Sequence, residues 1–132
     1  MKVAVTIWGN RISPVFDAAG TLLVAQIKNR MIIKKSYTSF NPETPSDLIK
    51  TLKQMGISIL ICGAISTKPA DLIVENDIKL ISFVTGSALK LLEDFAHKQT
   101  IEKAFMMPGC SKQYCWRHKS DKTTVKGTGP VG

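Results

Sequence analysis

Residues 57–62, Ile-Ser-Ile-Leu-Ile-Cys, are apolar at every position but one. A run this short, bounded by a glycine on each side and lacking strict in–out alternation, fits a strand covered on both faces. Such a strand belongs in a parallel sheet with helices packed on it, and helical patterns flank it in the chain. Thr44, Pro45 and Asp47 mark the start of the first: a capping residue, a proline at the first helical position and an acid at the third, as in a capping box. Leu48, Ile49, Leu52 and Met55 form its apolar stripe, and Gly56 its stop. The second helix runs from about Lys68 to Glu75. Asn76 and Asp77 then turn the chain into a short strand over 78–83. A third helix starts near Ser87, with Leu89, Leu92, Phe95 and Ala96 on its buried face.

Upstream, Val3, Val5 and Ile7 alternate with Ala4 and Thr6, which predicts a first strand ending near Trp8. Gly9, Asn10, Pro14 and Gly20 break the pattern, so 9–20 reads as a loop. Two more strands, 21–28 and 31–38, are separated only by Asn29-Arg30 and predict an antiparallel hairpin. The order β-β-β-α-β-α-β-α defines an α/β fold: a mixed, mostly parallel five-stranded sheet with flanking helices. A right-handed crossover sets the 59–62 strand beside the first strand. Their C-terminal ends then form a switch-point crevice, the usual ligand site in open α/β sheets. Residues 8–16 and 62–67 are expected to line it.

Cys62 ends the apolar strand close to a helix start. There the helix dipole and free amides favour a thiolate, the form that binds a soft metal. Its other reading is a small packed hydrophobe, since thiols are among the most buried groups. From Gly63 through Ala64 to Ser66 and Thr67, free N–H groups and two hydroxyls could hold an anion; capping of the helix accounts for the hydroxyls as well. On the opposite lip stand Trp8, Gly9, Asn10 and Arg11. Gly9 permits close approach of backbone to ligand, and Arg11 can pair with an anion; a rim-packed Trp and a solvated Arg are the plainer readings. His97 follows the last helix face and reads as a surface residue.

The 132 residues suffice for one domain with a core. No run of about 18 apolar residues exists to span a membrane, and the N-terminus is unlike a secretory signal, so the expected location is cytoplasmic. Three cysteines, an odd number, argue against a disulfide framework. The net charge of +8 is uneven: residues 1–97 carry 11 basic and 8 acidic side chains (+3), residues 98–132 carry 7 and 2 (+5). We expect a domain over 1–105 and a flexible, basic, cysteine-containing tail over 106–132. A cationic tail attracts anions, including an acidic partner protein. Within it, Cys110, Cys115 and His118 stand in C-x4-C-x2-H spacing, a donor set suited to zinc, copper or iron. Only three ligands are present there, so Cys62, His97, water or another chain has to supply a fourth. Docking to an acidic partner, through Tyr114, Trp116 and the flanking lysines, and incidental cysteines are the alternatives.

The stretch 1–27, with its strand, "ISPVF" loop and hairpin, resembles the opening of the dinitrogenase iron-molybdenum cofactor biosynthesis family. "MGISILICGAISTKPADLIVENDIKLI" is similar to that family's glycine-rich turn and following helix, and "VTGSALKLLEDF" to its last helix. The resemblance covers about residues 1–98. It implies a ribonuclease H-like fold and the binding or carriage of molybdenum- or iron-containing sulfide clusters. Ser13, Pro14 and Phe16 match the family loop, with Phe16 reading first as a core plug. Where many members have His before that Phe, this chain has Val15. Where many have Gly-Gly, it has Cys62-Gly63-Ala64, so Cys62 becomes the candidate soft ligand.

These observations lead to a non-catalytic protein that binds a metal–sulfur cluster or related anion in metal cofactor assembly. Trp8, Gly9, Asn10, Arg11, Ser13, Phe16, Cys62, Gly63, Ala64, Ser66 and Thr67 would form the site, and Cys62, Cys110, Cys115 and His118 would be the metal donors. The rival is an adaptor that uses the basic tail to bind an acidic protein or nucleic acid, with nucleic acid the less favoured of the two. No Ser–His–Asp set, Walker loop or dinucleotide fingerprint is present, and the first strand, 2–8, carries no acidic residue of the kind metal-dependent nucleases of this fold use.

Overall fold

The apolar 59–61 run lies at the centre of a sheet, with helices on both of its faces. A computed structural model of the chain describes residues 1–107 and 116–117. The chain runs through strands β1 (Lys2–Trp8), β2 (Arg11–Ile12), β3 (Thr21–Lys28) and β4 (Met31–Ser39). Helix α1 (Pro45–Met55), strand β5 (Ile59–Ile61), helix α2 (Thr67–Glu75), strand β6 (Lys79–Ile81), helix α3 (Ala88–Lys98) and strand β7 (Trp116–Arg117) follow. The sheet order is β4-β3-β1-β5-β6-β7, with β2 paired to β1. Strand β1 pairs parallel with β5, Val3 opposite Ile59, and β5 pairs parallel with β6. The β3–β4 hairpin adds antiparallel to β1. Of the five longer strands, β4, β1, β5 and β6 therefore share one direction and β3 opposes them.

Alternation along β1 sorts the core into two layers. Val3, Val5 and Ile7 pack with Leu23, Ala25, Ile61 and Ile81 against Leu91, Leu92 and Phe95 of α3. Ala4 faces the other way, with Leu22, Leu60 and Leu80 under Leu48 and Leu52 of α1 and Ile73 and Val74 of α2. The sheet is thus covered on both faces, as a nearly all-apolar central strand demands.

Local chemistry explains most boundaries. Asn29 and Arg30 both take positive φ, +53° and +62°, the geometry of a two-residue hairpin turn whose twist matches the strands. Gly56 ends α1 in the left-handed conformation at φ +73°. Ser87 caps α3 by accepting from the Lys90 N–H.

Several expectations are corrected. The capping box at Thr44 is absent: its hydroxyl donates to the Asn41 carbonyl, 3.3 Å away. Leu89 lies outside the core, at the margin of a buried stripe made by Leu91, Leu92 and Phe95. The 9–20 segment is not all loop, because the chain reverses tightly at Gly9-Asn10 and β2 pairs back on β1. The residues after 105 do not all leave the domain either. The Met107 N–H donates to the Phe83 carbonyl, and Trp116 and Arg117 pair with Ile81 and Leu80 along the edge of β6. The remainder of the expected tail, 108–115 and 118–132, lies outside the described residues. No helix among the described residues is long and apolar enough to cross a membrane.

Candidate functional site

Three parallel strands, β1, β5 and β6, end on the same side of the sheet, and the turns that leave them are joined by backbone hydrogen bonds. The Ala64 N–H donates to the Pro14 carbonyl, and the Ala64 carbonyl accepts from the Phe16 N–H, both at 2.8 Å. The Phe83 and Val84 N–H groups donate to the carbonyls of Gly63 and Cys62. The Ile12 N–H donates to the Gly86 carbonyl and the Ala88 N–H to the Asn10 carbonyl. The expected crevice between β1 and β5 is therefore closed. The 13–16 loop lies directly on the 62–64 turn, and the 82–88 turn locks against residues 62–63 and against the 10–12 segment.

The expected site residues divide accordingly. Ser13, Phe16, Cys62 and Gly63 are interior. The Ser13 hydroxyl donates to the Val15 carbonyl at 2.8 Å, a local turn bond rather than a ligand contact. Phe16 is wholly buried and stacks at a tilt on Phe40, with ring centres 5.7 Å apart. Gly63 has no room for a side chain: a Cβ there would collide with the Ser13 carbonyl oxygen and stand 2.5 Å from that of Pro14. Ala64 is half-buried, and its N–H is already engaged by Pro14.

Cys62 does not face a crevice. It is 0% exposed among Leu60, Ala70, Ile73 and Leu80 under α2. Burial pushes its thiol well above the ordinary value, since a thiolate there would lose its hydration without a compensating charge. The interior thiol is a packed hydrophobe, and the ligand role expected of it is corrected. Among the described residues, no three His, Cys, Asp or Glu side chains come together to hold a metal ion. Cys110, Cys115 and His118 lie outside the described residues.

Trp8, Gly9, Asn10, Arg11, Ser66 and Thr67 remain outside, all exposed. Trp8 is 68% exposed, next to the β1–β2 turn. Gly9 takes φ +65° at the first central position of that turn, as a type II′ hairpin requires. Arg11 is fixed on two sides, opposite Trp8 in the β1–β2 pair and bridged to Ser87 in the 82–88 turn. Ser66 precedes α2 in extended conformation, and its side chain makes no capping bond. The first-turn amides of α2 are thus not closed by Ser66, and Lys68 stands exposed beside them. Both α2 and α3 begin at this end of the sheet, so both helix dipoles present their positive ends there.

The 82–88 turn was not anticipated as part of the site. It contains Phe83 at φ +63°, a conformation rare for a bulky residue, and Gly86 at φ +115°. Its signal in the sequence was the Thr85-Gly86-Ser87 run at the end of a third parallel strand, where switch-point logic applies as it does at β5.

This is a three-layer α/β domain whose parallel strand ends carry an exposed, cationic rim able to hold an anion by hydrogen bonds and charge. The chain belongs to the dinitrogenase iron-molybdenum cofactor family, whose model matches residues 1–98. Solved structures share the fold at low identity. PH0822 superposes with a TM-score of 0.68 at 17% identity, covering 80% of this chain and 99% of its own. A candidate dinitrogenase, MJ0327 of Methanocaldococcus jannaschii, gives 0.58 at 18%, covering 77% and 92%. A candidate NifB protein of Thermotoga, TM1290, gives 0.60 at 13%, covering 83% and 98%. No curated protein matches the chain.

Proposed function

We propose that this protein is a cytoplasmic, non-catalytic carrier of an anionic metal–sulfur cluster of the iron- or molybdenum-sulfide type, in the assembly of a metal cofactor. Membership of the iron-molybdenum cofactor family supports a role in handling such a cofactor. The observation that carries the reading is the start of α2, uncapped by Ser66 and set at the same sheet end as Arg11 and Lys68. Thiometallates and iron–sulfur clusters are anions whose sulfur atoms accept hydrogen bonds. Backbone N–H groups and side-chain cations satisfy them without a metal–protein bond. A cargo held this way is released by loss of a few hydrogen bonds, which suits carriage and needs no general acid or base. The described domain would provide this cradle. Cys110, Cys115 and His118 of the tail are the remaining soft donors and would add direct ligation.

Tetrathiomolybdate titrated without oxygen into the full chain tests this. The fluorescence of Trp8 is followed in a Trp116→Phe background, where it is the sole tryptophan. Saturable quenching is expected, weakened about ten-fold by Arg11→Glu with Lys68→Glu. Quenching unchanged by those substitutions but abolished by Cys110→Ser with Cys115→Ser places the cargo on the tail and overturns the rim site. Absence of binding overturns the cluster reading.

A further inference from the structure

Strand β4 ends the sheet, with no strand beyond it among the described residues. It is nine residues long, and its register against β3 is regular from Lys34 to Ser39, shifting only near Gln26 and Ile27. An edge of this length leaves a row of outward N–H and C=O groups able to accept another strand. Native edges are commonly blunted by charge, and Lys34 and Lys35 do so here. Yet Met31, Ile33 and Tyr37 are also exposed along it, Met31 at 67% and Tyr37 at 64%. That apolar exposure is not explained by protection of the edge.

A groove of about 430 Å³ runs beside this edge. One wall is Arg30, Met31, Ile32 and Lys35 of the hairpin; the other is Leu89, Glu93, Ala96 and His97 of α3. Leu89, Glu93 and His97 recur at four-residue spacing and so form one stripe of the helix. Lys35 and Tyr37 stand opposite Ala25 and Leu23, which pack on α3, so both point to the helix side of the sheet. A strand added to β4 would set every second side chain over this groove. Backbone pairing would supply affinity and the groove selectivity, the arrangement of strand-addition domains.

We propose that the β4 edge and the β4–α3 groove form a docking site for an extended, acidic segment of another protein, with apolar residues at alternate positions. Charge decides the occupant. Arg30 and Lys35 line the groove, where Glu93 is the single acid, and Lys34, opposite Gln26, stands on the other face of the edge strand. A second copy pairing through β4 would bring Lys34 and Lys35 against their own kind. The chain's C-terminal segment, with Lys119, Lys122 and Lys126 against Asp121, is repelled for the same reason. An added strand sets its apolar side chains over Met31, Tyr37 and Leu89, and its acids, on the opposite face, beside Lys34. This site is separate from the rim at the strand ends, and its test does not depend on the cluster reading.

The test uses the full chain, isotopically labelled, and two synthetic ten-residue peptides with identical alternating valines, one with glutamates and one with lysines between them. The expected result is saturable binding of the glutamate peptide, with amide shifts and slowed hydrogen exchange confined to β4 and the α3 stripe. Binding should weaken about ten-fold or more in Lys34→Glu with Lys35→Glu. The lysine peptide should not bind. A double variant with a native spectrum but unchanged affinity overturns the proposal. So do shifts confined to residues after 107, equal binding of the two peptides, or a dimer of the protein alone that already protects the β4 amides.

Discussion

The Ser13 carbonyl oxygen occupies the place where a side chain at residue 63 would begin, so Gly63 and the 13–14 backbone are in direct contact. Closure of the crevice between β1 and β5 rests on this contact. A methyl group at 63 has to push the loop away and break the paired Ala64–Pro14 and Phe16–Ala64 hydrogen bonds. Gly63→Ala is expected to cost about 3 kcal/mol or more, read as a lowered urea midpoint. A loss below about 1 kcal/mol would show that the loop relaxes freely and that the crevice can open.

Cys62 should resist alkylation in the folded protein and label only on unfolding. Its buried thiol also links stability to pH. The folded-state pKa is raised above the ordinary value of 9.0, so the folded protein keeps a proton that the unfolded chain releases. The contribution is fully present below about pH 9 and is lost as pH rises beyond it, by roughly 1.4 kcal/mol per unit. Cys62→Ala should flatten that alkaline decline relative to the parent in denaturant titrations.

Thr6 is fully buried, and its hydroxyl has no hydrogen-bond partner among the described residues. Replacing it with the isosteric valine removes an unsatisfied group and keeps the shape. Thr6→Val is expected to raise stability by about 1 kcal/mol. A loss instead would reveal a partner for the hydroxyl, such as bound water.

Arg30 holds positive φ at the hairpin turn, a conformation that costs glycine nothing. Arg30→Gly should stabilise the hairpin by about 0.5–1 kcal/mol and, by removing a groove cation, weaken acidic-peptide binding. Opposite signs for stability and binding separate the residue's two roles.

Deleting residues 108–132 removes β7 from the edge of β6. The two helix-covered cores lie within the first 101 residues, apart from the flanking Phe105 and Met106, so the domain should stay folded. The loss should be about 1 kcal/mol, with increased light scattering on heating as the β6 edge becomes free. Unfolding at room temperature would show that the tail carries part of the core.

The order and type of the three helices and the five longer strands were legible in the chain because they are encoded locally. The two-residue strands β2 and β7 were not, because a run of two shows no alternation and β7 joins β6 by a distant contact. Asn29-Arg30 between two β-rich runs fixes a hairpin, Pro45 and Gly56 bracket a helix, and an apolar 59–61 run calls for cover on both faces. The orientation of Cys62 was not encoded that way. In a strand buried on both sides, odd and even positions are equally apolar, so alternation does not tell which face a thiol joins. Only the tertiary packing assigned it to Leu60 and Leu80 beneath α2. The same holds for Leu89 and Leu91, which lie two apart in a leucine-rich turn and are sorted only by where α3 meets the sheet. The fate of the crevice was the least legible of all. Glycine at 63 fits equally a backbone that approaches a ligand and one that approaches another loop. The choice is made by a contact across 50 residues of sequence, between 13 and 63, that no local pattern records.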